Sequence, residues 1–173
     1  MRGIRLFLSP LLLLLSGSFI PAGTSTGCPS RIDVSNGKVS IDGKMPEDFS
    51  IGSFQKILGP PTRIDGTVFI YDNCGISLFA AADAVMLSEM QVHFRHENVS
   101  TAPENDFAGK FTLQGKEIRG GESFDKVRSS FPRYRFDHDK TYPEGYRKGI
   151  YVIVDKANND PGVGCVSFGP GDR

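Results

Sequence analysis

The chain has 173 residues and carries 20 Lys and Arg against 20 Asp and Glu, a formal net charge of zero. That length suits one domain with a sizeable core once a leader is set aside. The scattered, balanced charge argues against a nucleic-acid partner, which would need a basic face. With 20 Gly, 11 Pro, 13 Phe and no Trp, the composition points to strands and turns rather than a helical bundle.

Residues 1 to about 22 have the three-part order of a secretory signal: Arg2 and Arg5, an apolar run from Leu6 to Leu15, then small and turn-forming residues through Gly27. Ser9, Pro10, Ser16, Gly17 and Ser18 break the run, and a permanent membrane anchor wants about 20 mostly apolar residues. Cleavage after Ala22, which puts Ile20 at position −3, is one arrangement, and Ser16/Ser18 is another. Cys28, after Ser25-Thr26-Gly27, offers a third arrangement, a lipidated cysteine at the new N-terminus. Residues 23–30 read as a leader or linker and 31–173 as one domain of an exported, periplasmic or envelope protein. A lipid at Cys28 would be its one membrane attachment.

Arg31–Ser35 and Lys38–Asp42 flank Asn36-Gly37, a strong hairpin signal. Ser50 is placed to cap a helix whose apolar face is Ile51, Phe54, Ile57 and Leu58, with Gly59-Pro60-Pro61 as its stop. Strands follow at Gly66–Asp72, Gly75–Ala80 and near Val85–Phe94. Further on come a strand at Gly109–Gln114, a second helix with Phe124, Val127 and Phe131 on one face and Pro132 as its stop, and strands at Gly149–Asp155 and Gly164–Phe168.

These elements suggest an internal repeat, about 31–95 and about 107–173. Gly37-Lys-Val-Ser-Ile-Asp-Gly-Lys44 returns as Gly109-Lys-Phe-Thr-Leu-Gln-Gly-Lys116, with the same polar–apolar alternation. Phe54, Lys56, Pro60 and Arg63 match Phe124, Lys126, Pro132 and Arg135. The expected fold is α+β: tandem strand–helix–strands units forming an antiparallel sheet with two helices on one face.

Phe54-Gln-Lys-Ile-Leu-Gly-Pro-Pro-Thr-Arg63, followed by a strand ending Tyr71-Asp72 and by Gly75-Ile-Ser, resembles an exported bacterial family of unknown function. The same helix–Leu-Gly-x-Pro–strand pattern is similar to the repeat unit of β-lactamase inhibitor proteins and to small outer-membrane assembly lipoproteins of the SmpA type. The resemblance implies an α+β fold and a bias towards protein binding. It transfers no functional residue.

If Cys28 is lipidated or free, Cys74 and Cys165 remain as the pair for a disulfide; the other reading is two buried thiols. No cysteine or histidine spacing fits structural zinc. His93, His96 and Glu97 lie near a strand end, where three-residue spacing sends the imidazoles to opposite faces, with His93 and Arg95 towards solvent. Asp137-His138-Asp139 opens a segment running to Lys148 that reads as a solvated hairpin tip rather than a metal or catalytic site. Around it Arg133, Tyr134, His138, Tyr142, Tyr146 and Arg147 form a candidate interaction surface, because Tyr and Arg bury much area while still offering hydrogen bonds.

No Gly-x-Ser-x-Gly elbow is present, Cys74 beside a strand is a poor attacker, and Gly120-Gly121 lacks the Lys-Ser/Thr of a phosphate loop. The sequence therefore predicts a non-enzymatic, cofactor-free exported domain that binds another envelope or extracellular protein as an inhibitor or immunity partner. An assembly accessory of the envelope ranks second, and a small-ligand binder or hydrolase third.

Overall fold

The computed structural model describes residues 27–95, 99–132, 134–137, 140–143, 150–156 and 162–171. The leader, residues 1–22, lies outside them. Among the described residues no helix is long and apolar enough to cross a membrane.

The chain begins with a hairpin, β1 (Arg31–Ser35) and β2 (Lys38–Ile41). Asn36 and Gly37 both take positive φ, as the tight two-residue turn requires. Helix α1 (Ile51–Leu58) follows, with the Ser53 amide donating to Ser50 Oγ at 3.2 Å and Gly59 ending it at φ 81°. Ile51, Phe54 and Leu58 are buried, with Ile57 packed beside them, so the predicted apolar face is the one used.

A four-strand meander comes next: β3 (Arg63–Asp65), β4 (Val68–Tyr71), β5 (Ile76–Ala80) and β6 (Leu87–His93), with a single 3₁₀ turn at Asp72–Cys74 between β4 and β5. A second hairpin, β7 (Lys110–Leu113) and β8 (Lys116–Ile118), leads into helix α2 (Phe124–Ser130). Phe124, Val127 and Phe131 are buried, as their spacing requires. The chain closes through β9 (Tyr134–Asp137), β10 (Lys140–Pro143), β11 (Ile150–Lys156) and β12 (Val163–Pro170).

The strands assemble differently from the expected single antiparallel sheet. One sheet has four strands in the order β2-β1-β7-β8, the other has six in the order β11-β12-β6-β5-β4-β3, and β9 and β10 form a separate two-stranded ladder. β1 and β7 run parallel, with Ile32 beside Phe111 and Val34 beside Leu113. Local alternation predicts each strand but is silent about a partner almost eighty residues away (Asp33 sits beside Thr112), which is why the parallel pair was not legible.

The larger sheet is antiparallel throughout. Its inner face carries rows such as Phe168, Met90 and Leu78, and Val166, Val92 and Ile76, set by register. These side chains, the buried faces of both helices and the inner face of the smaller sheet share one core. Phe111 of β7 and Phe168 of β12, both fully buried, meet with ring centroids 6.0 Å apart and join the two sheets. Phe111→Ala is expected to cost about 3–5 kcal/mol, because the joint cannot collapse around the void. Urea denaturation, comparing midpoints at unchanged slope, checks this.

Candidate functional site

Four places among the described residues bear on a functional reading. The densest surrounds the 3₁₀ turn after β4. Asp72 is almost fully buried there, and its carboxylate accepts from Arg63 Nε at 3.0 Å and from the Glu104 amide at 3.2 Å. The Asp72 carbonyl takes the Asn105 amide at 3.0 Å, and Thr62 Oγ1 accepts from the Asp72 amide at 3.1 Å. The Arg63 guanidinium also donates to the Ser100 and Ala102 carbonyls, at 2.7 and 2.8 Å. Residues 99–107 therefore form a strap across the outer face of β3–β5, where buried Ser77 donates to the Thr101 carbonyl at 2.8 Å. Charge-assisted bonds to a buried carboxylate are the stronger class, so this cluster holds the strap.

The cysteines pair otherwise than expected. Cys28 and Cys74 form the disulfide, with Cα atoms 5.0 Å apart. Cys74 cannot reach Cys165, because Gly75 bonds to His93 and His93 lies beside Cys165, so strand β6 separates them. Two strand spacings amount to about 9–10 Å, beyond the range of a disulfide. A sulfur held in a disulfide has no valence for a thioether, so in the bridged chain Cys28 carries no lipid. The bridge spans 46 residues in sequence, a loop whose closure entropy in the unfolded chain is worth roughly 4 kcal/mol in the chain-entropy account.

A third group lies on the outer face of the six-stranded sheet. Register places Asp155, Cys165 and His93 side by side on β11, β12 and β6. His93 and Cys165 are buried, which corrects the expectation that His93 faces solvent. That expectation assumed one wet face, whereas the outer face of β6 is half-exposed at Glu89 and Gln91 but closed over at His93. Arg95 is exposed as expected. His96 and Glu97 lie outside the described residues. Among the described residues no three His, Cys, Asp or Glu side chains gather as metal ligands do.

The fourth place is the outer face of the smaller sheet. Arg31 clasps Asp33 through Nε and Nη2 at 2.7 and 2.8 Å, and Thr112 bonds to Asp33 across the parallel pair. Lys110 and Arg119 both reach Glu117 at 2.7 Å. These bonds, Arg119's first and Lys110's second, push the Glu117 carboxyl down to about 2. Gly120 and Gly121 are packing residues here: a Cβ on Gly120 would lie 2.5 Å from Phe94 Cβ.

The expected interaction surface maps onto the β9–β10 ladder, where Arg135 stands opposite Tyr142 and Tyr134 opposite Pro143. Of Tyr134 and Tyr142 the backbone alone is described, and Arg133, His138, Tyr146 and Arg147 lie outside the described residues. β9 and β10 pair antiparallel, with Asp137 opposite Lys140.

A protein-family model described as "Domain of unknown function (DUF7738)" matches residues 31–128. The chain belongs to this family. The matched stretch holds the whole four-stranded sheet, α1 and the first meander, and it ends inside α2, before β9–β12. No curated protein and no solved structure matches the chain.

Two outcomes follow. Asp72→Asn keeps the size of the side chain but removes its charge, and should cost about 1–3 kcal/mol, read as a lower denaturation midpoint. Glu117 has a folded pKa below its unfolded value, so it stabilises the fold above about pH 4.5. That contribution fades as pH falls towards about 2. In acid titrations the stability gap between the native chain and Glu117→Gln should close over that window, and a gap unchanged from neutral pH to the acid end would contradict it.

Proposed function

We propose that the chain is an exported, non-enzymatic protein-binding domain, acting as an inhibitor or immunity-like partner of another envelope or extracellular protein. The observation that carries the reading is the segment 133–147. Its Tyr- and Arg-rich sequence includes the two strands of the β9–β10 ladder. A short stretch that concentrates aromatic and guanidinium groups is suited to anchoring a partner.

Other features support export and binding. The signal-like leader precedes a disulfide, which forms and persists in oxidising compartments. The charged clusters at Asp72, Asp33 and Glu117 are taken up by internal bonds that hold strands and strap, which is structural work rather than catalysis. The Leu58-Gly59-Pro60-Pro61 helix stop is similar to the repeat unit of β-lactamase inhibitor proteins and leans the same way. Because Cys28 is bridged, the feature that favoured a lipid-anchored assembly accessory is gone.

The reading includes a tandem duplication, in a register different from the one read off sequence. Each half runs hairpin, helix, four strands. Ser50, before α1, bridges Met86, just before β6; Ser123, before α2, bridges Gly162, just before β12. Leu87 donates to the Phe49 carbonyl at 2.8 Å, and Val163 to the Glu122 carbonyl at 2.9 Å. In the proposed duplication this matches β6 with β12 and β3–β4 with β9–β10.

Affinity capture from the native envelope tests the binding role, using bait that begins at Gly27 so that the disulfide is kept. A stoichiometric protein partner is expected. Changing Tyr142, Tyr146 and Arg147 to alanine should weaken its capture by roughly 30-fold or more, the loss of a hot-spot cluster. Failure to capture any partner under mild conditions would sink the reading.

A further inference from the structure

We propose that the Cys28–Cys74 disulfide is a reducible buckle that locks the strap, residues 99–109, against the end of the six-stranded sheet. The inference is independent of the binding role. Its basis is that the chain on both sides of the bridge touches the same stretch of strap.

On the Cys74 side, Asp72 binds the amides of Glu104 and Asn105. Gly75, at φ 66°, lies so close to the strap that a Cβ there would sit 2.2 Å from the Phe107 amide nitrogen. On the Cys28 side, a Cβ on Gly109 would lie 2.7 Å from the Pro29 carbonyl oxygen and 2.9 Å from that of Ser30. The Lys110 amide donates to the Ser30 carbonyl at 2.8 Å. Between these contacts the Phe107 amide reaches the His93 carbonyl at 2.6 Å, and the Phe107 ring meets Phe94 edge-on. The strap thus leaves the outer face of β3–β5, rounds the sheet end beside the bridge, and enters β7 next to β1. The bridge fastens the two segments between which it passes.

Cys28 is exposed and Cys74 is partly buried, so the bridge lies at the surface rather than in the core. Exposed disulfides are the labile ones. The reductant is a dithiol, either a small molecule or an envelope oxidoreductase. Its thiolate attacks Cys28 Sγ, forms a mixed disulfide and expels Cys74 as a thiolate, which takes up a proton. The second thiol of the reductant then displaces Cys28 and leaves as the oxidised disulfide. Two electrons pass to the protein, and both cysteines end as thiols. Opening the buckle frees the segment around Cys28 and loosens the strap that covers Ser77. The core, closed by apolar packing and the strand ladders, stays folded.

Hydrogen exchange read by mass spectrometry tests this on the disulfide-bonded chain, on the same chain treated with dithiothreitol without denaturant, and on Cys28→Ser. At short labelling times, peptides covering 27–30 and 99–109 should exchange about tenfold faster in the reduced protein and in the variant, while β4, β5, β6 and β12, which exchange through global unfolding, have not yet exchanged in any of the three samples. Agreement between variant and reduced protein separates loss of the bridge from an effect of the reagent. Unchanged protection over 99–109 would overturn the buckle. So would a loss spread evenly through the six-stranded sheet, which would make the bridge a staple for the whole fold, or a bridge that resists dithiothreitol in the native state.

Discussion

The antiparallel pairing of β6 with β12 is the contact on which the architecture depends. Val92 stands beside Val166 and Met90 beside Phe168, so the two strands present one continuous apolar row to the core. Without that ladder the meander β3–β6 and the pair β11–β12 would each end at an open edge of unpaired amides and carbonyls, a costly thing to bury. With it, six strands form one floor, on which the helices and the smaller sheet close. The family match ends at Arg128, so in this chain the strand that completes the floor comes from residues beyond the matched region.

The smaller sheet is fastened to that floor in two physically different ways. Phe111 and the apolar residues around it make a dry joint whose strength grows with the buried area. The Cys28–Cys74 bridge makes a covalent joint that acts mainly by restricting the unfolded chain. The polar clusters serve position more than driving force. Asp72 fixes where the strap runs, and Asp33 and Glu117 align strands by accepting from cations and a hydroxyl on neighbouring positions. Burial of Tyr71 pushes its phenol up, and its hydroxyl donates to the Gly59 carbonyl at 3.1 Å, tying β4 to the end of α1.

Much of the local structure was legible. Asn36-Gly37 specified a hairpin, Ser50 and Gly59 bounded a helix, and the spacing of Phe124, Val127 and Phe131 gave the buried face of α2. Each signal acts within a few residues, through φ preference, capping or periodicity. What was misread depended on pairing at long range. Alternation could not show that β1 runs beside β7, nor that β12 pairs with β6. His93 was assigned to solvent because alternation reports two faces and cannot say that the outer one is closed over at that residue. Glu104 and Asn105 carry no sign that their amides will meet Asp72.

The sequence by itself determined the elements and their apolar faces, because these follow from local chemistry. Only the tertiary structure decided which cysteines meet, which strands lie between them, and which buried polar groups share a face. Those outcomes depend on sheet order, and sheet order is settled when distant apolar faces close together, since a strand's own residues are compatible with several neighbours. Cys74 met Cys28 rather than Cys165 because β6 was placed between the other two.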